Sequence, residues 1–347
     1  MIVVKKEGIL LEKTELEFEN EGVLNPAAIR VGDSVHLFYR AVRKGNYSTV
    51  GYCRLDGPLT LRERTEAPLI IPQMDYESHG IEDPRIVKID DLYYMTFTAH
   101  DGLNAQGELA TSKDLIHFDR QGIIVPQMTY AEFAFHVETD GKVNDKYHCN
   151  YKFYYSKADP DKKLLLWDKN VIFFPRRING KLVFLHRIRP GIQLVAVENL
   201  EDLTKDFWIN YIRDMHKYIV LDPLYDHESK YIGGGCPPIE TKQGWLLIYH
   251  GVKETTTGLV YSACAALLDL ENPSQEIARL PYALFSPEYE WELNGEVNNV
   301  VFPTGTAIFG DTLFIYYGAA DERIACASLS ISALVEKLII NIRKDEK

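Results

Sequence analysis

The sequence predicts an all-β protein: a five-bladed β-propeller with a C-terminal helix and an insertion between the second and third blades. Three observations lead there. One hairpin pattern recurs five times along the 347 residues. Each copy opens on a proline and places a turn dipeptide between two apolar runs. The composition, 12% aromatic with 21 tyrosines and 15 phenylalanines, favours strands.

The first copy, NPAAIRVGDSVHLFYRAV, starts at Asn25, and the second, DPRIVKIDDLYYMTFTAH, at Asp83. FPRRINGKLVFLHRI starts at Phe174, PPIETKQGWLLIYHGV at Pro237 and FPTGTAIFGDTLFIYYGAAD at Phe302. Proline at the first residue of a strand is one of the few places a sheet tolerates it. The turns GD, DD, NG, QG and GD follow, then a second, strongly apolar strand. A third, weaker strand comes next in each copy: STVGYCRL, GELATSKD, IQLVAVEN, YSACAALLDL and ERIACASLS. Five such units, starting near residues 25, 83, 174, 237 and 302, predict one propeller domain over 1–347. A β-sandwich with coincidental prolines is the plainer alternative. The long gap between the second and third units is read as an insertion at about 129–161, rich in tyrosine and placed to overhang one face. In the tail, Leu334, Val335, Leu338, Ile339 and Ile342 fall at helical spacing, so a helix is expected at about 332–345.

A net charge of −12 argues against nucleic acid and anionic membranes as partners. The five cysteines are scattered without metal-ligand spacing, which fits free thiols in a reducing compartment. The acidic N-terminal stretch has no apolar signal core and no run reaches transmembrane length, so a cytoplasmic protein is expected. A homo-oligomer would form through the insertion or the C-terminal helix. No metal and no cofactor are expected.

In a propeller the innermost strands line a shared axial channel. The segment GIEDPRI therefore brings Glu82, Asp83 and Arg85 to one rim of it. Asn25, Phe174 with Arg176 and Arg177, Cys236, and Phe302 with Thr304 hold the equivalent places. Arg40, His100, Arg187, His250 and Asp321 end the second strands and are candidates for the same pocket. Any one of these could instead be a salt bridge between blades. His136, His148 and His227 recur at no equivalent point and are taken as ordinary surface or insertion residues. A channel of carboxylates, arginines and aromatics on an acidic body suits a neutral polyhydroxylated ligand. A carboxyl kept protonated there can serve as general acid.

The blocks GIEDPRI, KNVIFFPRRINGKLVFLHR, GGGCPPIETKQGWLLIYHGV and VVFPTGTAIFGDTLFIYYGAAD closely resemble glycoside hydrolase family 130, the β-mannoside phosphorylases and related inverting β-1,2-mannosidases. The resemblance runs from about Asn25 to Ser332 and implies a five-bladed propeller that cleaves β-mannosides with inversion. It implies that Asp83 is the catalytic acid, delivering its proton through a hydroxyl of the bound mannose. Arg40 and Asp321 match residues that hold the sugar, and Asn25, Glu82 and Arg85 are grouped with them as substrate contacts. Arg187, His250 and Tyr261 match the family's phosphate ligands. Lys169 stands where the family has an arginine, Tyr231 where it has a lysine, and Pro26 where it has a serine. Lysine keeps the charge of arginine but loses its bidentate geometry.

Two readings follow. In the first, Lys169, Arg187, His250 and Tyr261 bind phosphate, the co-substrate, and the product is mannose 1-phosphate. In the second, water attacks and a carboxylate base is needed, roughly 6.5–9.5 Å from the acid; Glu228 is the candidate. Phosphorolysis is favoured because no carboxylate visibly replaces the anion site. A non-catalytic sugar-binding propeller is a remote third reading. An arabinanase-like hydrolase is disfavoured, because Asn25 stands where that class has its aspartate.

Overall fold

The computed structural model describes residues 2–137, 142–149 and 163–345. After β1 (Lys5–Leu11), the chain forms an antiparallel meander of β2 (Gly22–Val31), β3 (Ser34–Arg43), β4 (Tyr47–Asp56) and β5 (Thr60–Arg64). A second meander holds β6 (Gly80–Ile89), β7 (Leu92–His100), β8 (Ala105–Ser112) and β9 (Asp119–Ile123). One parallel bridge, Ser48 to Gly80, joins these two into an eight-stranded sheet. The third meander is β10 (Lys169–Phe173), β11 (Leu182–Arg187), β12 (Ile192–Val197) and β13 (Ile219–Leu221). In the fourth, β14 (Tyr231–Gly234) and β15 (Ile239–Thr241) share the partner β16 (Gly244–Thr255), followed by β17 (Gly258–Leu268) and β18 (Glu276–Arg279). The last comprises β19 (Val301–Phe309), β20 (Thr312–Ala319) and β21 (Arg323–Ser330), and its outer strand is β1 from the other end of the chain.

The middle strands are apolar without alternation, as in LVFLHR and LFIYYGA, because both of their faces are buried. Among the described residues the core falls into five clusters, each between two meanders. Phe314 and Tyr316 pack with Leu37 and Tyr39, and Phe38 packs with Met95 and Phe97. Val87 and Leu109 pack with Phe173 and Phe184. Val183 and Leu185 meet Trp245 and Leu247, and Leu246 and Ile248 meet Leu313 and Ile315.

A second repeat was not read from the sequence. Glu19, Glu77, Glu228 and Glu292 are fully buried, each just ahead of a meander's first strand. Each meets a cation from an outermost strand: Arg64, Arg120, Arg279 and Lys6 respectively. Tyr39, Tyr249 and Tyr317 donate their hydroxyls to Glu19, Glu228 and Glu292. A buried carboxylate persists only when paired and hydrogen-bonded, and here the pairing ties outer strand to inner loop.

Two expectations need correction. The third meander's first strand begins at Lys169, ahead of Phe174, and the fourth begins at Tyr231, ahead of Pro237. Proline does not open all five first strands; a register shift interrupts four of them, while β14 pairs in continuous register. The shift falls between Leu24 and Ala27, Glu82 and Arg85, Lys169 and Ile172, and Pro303 and Gly305. The described parts of the 129–161 insertion contribute side chains to the core, which the sequence reading did not expect. Helix α1 (Tyr130–His136) and Tyr147 pack into the core beside Trp208 and Tyr211 of helix α2 (Lys205–Arg213), which the sequence reading missed. Residues 138–141 and 150–162 of that stretch lie outside the described residues. Short helix α3 (Glu290–Leu293) precedes β19, and α4 (Ile331–Asp345) packs Leu334, Val335 and Leu338 on the core. Among the described residues no helix is long and apolar enough to cross a membrane.

Candidate active site

The register shifts build the site. At three of the four, in β2, β6 and β10, the extra residue takes the left-handed conformation: φ is 50° at Asn25, 52° at Asp83 and 56° at Asn170. Asn and Asp tolerate this conformation better than other side chains. Bulges re-aim a side chain out of the sheet's alternation, a common device beside active sites. Here they turn these three residues into one cavity of about 180 Å³. Arg40, Glu82, Lys169, Arg187, Arg189, Tyr231, Tyr261, Phe302 and Asp321 complete most of its wall.

One side of the cavity is a carboxylate network. Asn25 Nδ2 donates to Asp83 Oδ1 at 2.7 Å. Arg40 Nη2 meets Glu82 Oε1 at 3.0 Å, and its Nη1 lies 3.9 Å from Asp83 Oδ1. Lys169 Nζ holds the other Glu82 oxygen at 3.0 Å. Although burial pushes Glu82 up, Arg40 and Lys169 hold its carboxyl below the usual range. Asp321 behaves oppositely: burial pushes it up to about 6, with Asp83 and Glu82 adding to the rise against Arg40. Gly318 permits the contact at the centre, since a Cβ there would lie 2.0 Å from Asn25 Oδ1.

The other side is cationic and phenolic. Arg187 and Arg189 flank the ring of Tyr231, with guanidinium carbons 5.4 Å and 4.1 Å from its centroid. The Tyr231 and Tyr261 hydroxyls are 2.8 Å apart. Asn170 adds a buried amide nitrogen with no hydrogen-bond partner among the described residues.

Of the residues singled out from sequence, Asn25, Arg40, Glu82, Asp83, Lys169, Arg187, Tyr231, Tyr261, Phe302 and Asp321 line this cavity. Arg85 does not. It is 1% exposed and donates to the carbonyls of Asp83, Pro84 and Gly235. It braces the Asp83 bulge against the fourth meander, and burial pushes its pKa down to about 10. His250 is also fully buried, behind Arg187, whose Nη1 lies 3.5 Å from its Nε2. Burial first, then Arg187 and Arg85, push the His250 pKa well down, so a neutral ring faces Arg187. Phe174 packs on Trp245, and Arg176 pairs with Glu240 and Glu271 at the surface. His100 closes β7 opposite Gly80, outside the lining.

Glu228, the candidate base, is not in the cavity. It is the fourth meander's copy of the buried glutamate, held by Arg279, Tyr249 and the amides of Leu224 and Tyr225. His227, Glu228 and Cys264 do come within 4.8 Å of one another, a cluster that cysteine spacing did not reveal. The group fits a metal poorly, because both Glu228 oxygens are already engaged and Arg279 adds positive charge. Sequence reading passed over Arg189 and Asn170. The available signals were a second arginine in HRIRP and an asparagine beside Lys169.

A family profile described as β-1,4-mannooligosaccharide phosphorylase, glycoside hydrolase family 130, matches residues 7–168 and 160–339. The chain belongs to glycoside hydrolase family 130. Two curated relatives of this family 130 chain come from Thermoanaerobacter sp. (strain X514). A 1,2-β-oligomannan phosphorylase is 34% identical, covering 93% of this chain and 95% of the relative. A β-1,2-mannobiose phosphorylase is 34% identical, covering 92% and 93%. The solved structure of a Listeria innocua β-1,2-mannobiose phosphorylase with β-1,2-mannobiose shares the fold. Its TM-score is 0.70 at 22% identity, with 97% of this chain and 99% of that one covered.

Proposed function

We propose that this family 130 enzyme cleaves β-1,2-linked mannosides by phosphorolysis, with inversion, to mannose 1-phosphate. The observation that carries the reading is the division of the cavity. Carboxylates and Arg40 form one side; Arg187, Arg189 and two phenols form the other, and Lys169, paired with Glu82, adds its charge to both. The first side suits a polyhydroxylated sugar, with Asn25, Arg40, Glu82 and Asp321 as its contacts. The second suits an oxyanion. A phosphate oxygen attacks the anomeric carbon from the cationic side. The bond to the leaving oxygen breaks, and that oxygen takes the proton supplied by Asp83. Hydrolysis would need a carboxylate base on the attacking side. Among the described residues that side has none, and Glu228 is committed to Arg279. The linkage follows the two Thermoanaerobacter relatives, both named for β-1,2-mannans.

The scaffold we propose is a single five-bladed propeller. Its support is the cyclic order of the five core clusters. First strands also touch in sequence, β2 to β6, β6 to β10 and β10 to β14, with β16 meeting β19 and β19 returning to β2. A cytoplasmic setting is supported by five free cysteines, four of them buried.

The test is product analysis on β-1,2- and β-1,4-mannobiose with and without inorganic phosphate. Mannose 1-phosphate from the β-1,2 substrate, only with phosphate, is expected. Asp83→Asn should lose that product while keeping the fold. Free mannose at equal rates in both conditions would overturn phosphorolysis.

A further inference from the structure

The anion side contains an arginine with no counterpart among the residues matched to family ligands. Arg187 ends β11, and Arg189 follows two residues later in HRIRP; both line the cavity. Arg189 lies face-on to the Tyr231 ring at 4.1 Å, and its Nη2 donates to the Tyr231 hydroxyl oxygen at 3.2 Å. That ring also carries Arg187 at 5.4 Å. Tyr231 thus sets two guanidiniums beside one opening, on a flat aromatic surface that favours arginine over lysine.

The hydrogen count at this corner is one-sided. Arginine has donors only. The two phenols have two hydrogens, and a single hydrogen bond joins their oxygens. One phenol hydrogen therefore remains for a third group, whichever tyrosine donates to the other. Burial pushes Tyr231 up, but Arg189 and Arg187 outweigh it and hold this phenol below its ordinary pKa. A corner of guanidinium and phenol donors complements a ligand rich in acceptors and negative charge, such as a phosphate dianion.

We propose that Arg189, carried on the Tyr231 ring, is a further phosphate-holding residue, occupying the role that a lysine at position 231 would otherwise fill. This rests on the phosphorolytic reading above. It accounts for an anion site that looks depleted in the linear sequence, since the replacement charge arrives from the turn between β11 and β12.

The test is steady-state kinetics with β-1,2-mannobiose and inorganic phosphate as the varied substrates. Arg189→Ala should raise the KM for phosphate about tenfold or more, the scale of one charge-assisted hydrogen bond. The KM for mannobiose should change less than about twofold. The double variant Arg189→Ala/Tyr231→Lys should recover most of the phosphate affinity. As a readout independent of turnover, inorganic phosphate should raise the wild-type Tm, with the rise much reduced in Arg189→Ala. If Arg189→Ala fails to fold, Arg189→Lys substitutes for it and should show a smaller rise in phosphate KM. A wild-type enzyme that releases mannose regardless of phosphate overturns the phosphorolytic reading and this one with it. Wild-type phosphorolysis with an unchanged phosphate KM in the Arg189 variant, or equal losses for both substrates, overturns the role of Arg189 alone.

Discussion

Asp83 and Asp321 are both aspartates facing Arg40, yet their surroundings separate them. Asp83 accepts from Asn25 and sits on a bulge braced by Arg85. Asp321 is raised to about 6 by burial and by its acidic neighbours. The folded protein therefore binds the Asp321 proton more tightly than the unfolded chain, whose value is near 3.8. Folding has that advantage in full below about pH 4 and loses it as pH rises through about 6, a difference of about 3 kcal/mol. Asp321→Asn should raise Tm by a few degrees at pH 8 and leave it unchanged at pH 3.5, while reducing activity. Thermal melts across that range check the sign; a gain that is the same at both ends would show that Asp321 is not the strained group.

At the scale of elements, the register shifts and the buried glutamates do separate jobs. The shifts bring Asn25, Asp83 and Asn170 into the cavity wall. In four of the five meanders a glutamate holds the outer strand against the loop that feeds an inner one. Glu228 belongs to the second class, although its place near Tyr231 in sequence suggested chemistry. Removing one partner of a buried pair costs about 3–5 kcal/mol, because the other charge is left behind. Glu228→Ala should therefore lower Tm sharply by stranding Arg279, with Glu228→Gln intermediate. The folded fraction of either variant should retain near-normal kcat. A Glu228→Gln enzyme with wild-type stability and no turnover would return Glu228 to the list of bases.

For the whole molecule, β1 completes the final meander by pairing with β21, and Lys6 from it meets Glu292. The two ends of the chain are thus joined in one sheet. Deleting residues 2–11 should expose the β21 edge, strand the Glu292 charge and abolish cooperative melting. Circular dichroism melts and size-exclusion chromatography would show this as a broadened transition and aggregation. A truncated chain that melts as sharply as wild type would mean that β1 contributes little to closure.

The sequence alone determined the all-β class, the recurring hairpins, the C-terminal helix and most of the residues that line the cavity. Hairpins are local, and their turn dipeptides and apolar runs sit next to one another in the chain. GIEDPRI was legible for the same reason: Glu82 and Asp83 reach the cavity from a single bulge. Tertiary structure decided the rest. The first strand of the third meander was misplaced because its bulge rests on Asn170 without a proline. Sequence does not reveal which side of a wall a side chain occupies: Arg85 and His250 are both buried outside the cavity lining. Arg189 meets Tyr231 on the cationic side of the cavity although the two are 42 positions apart in the chain. Glu228 stays outside the cavity for the same physical reason: a buried charge goes where its counter-charge is, and Arg279 lies on the outer strand.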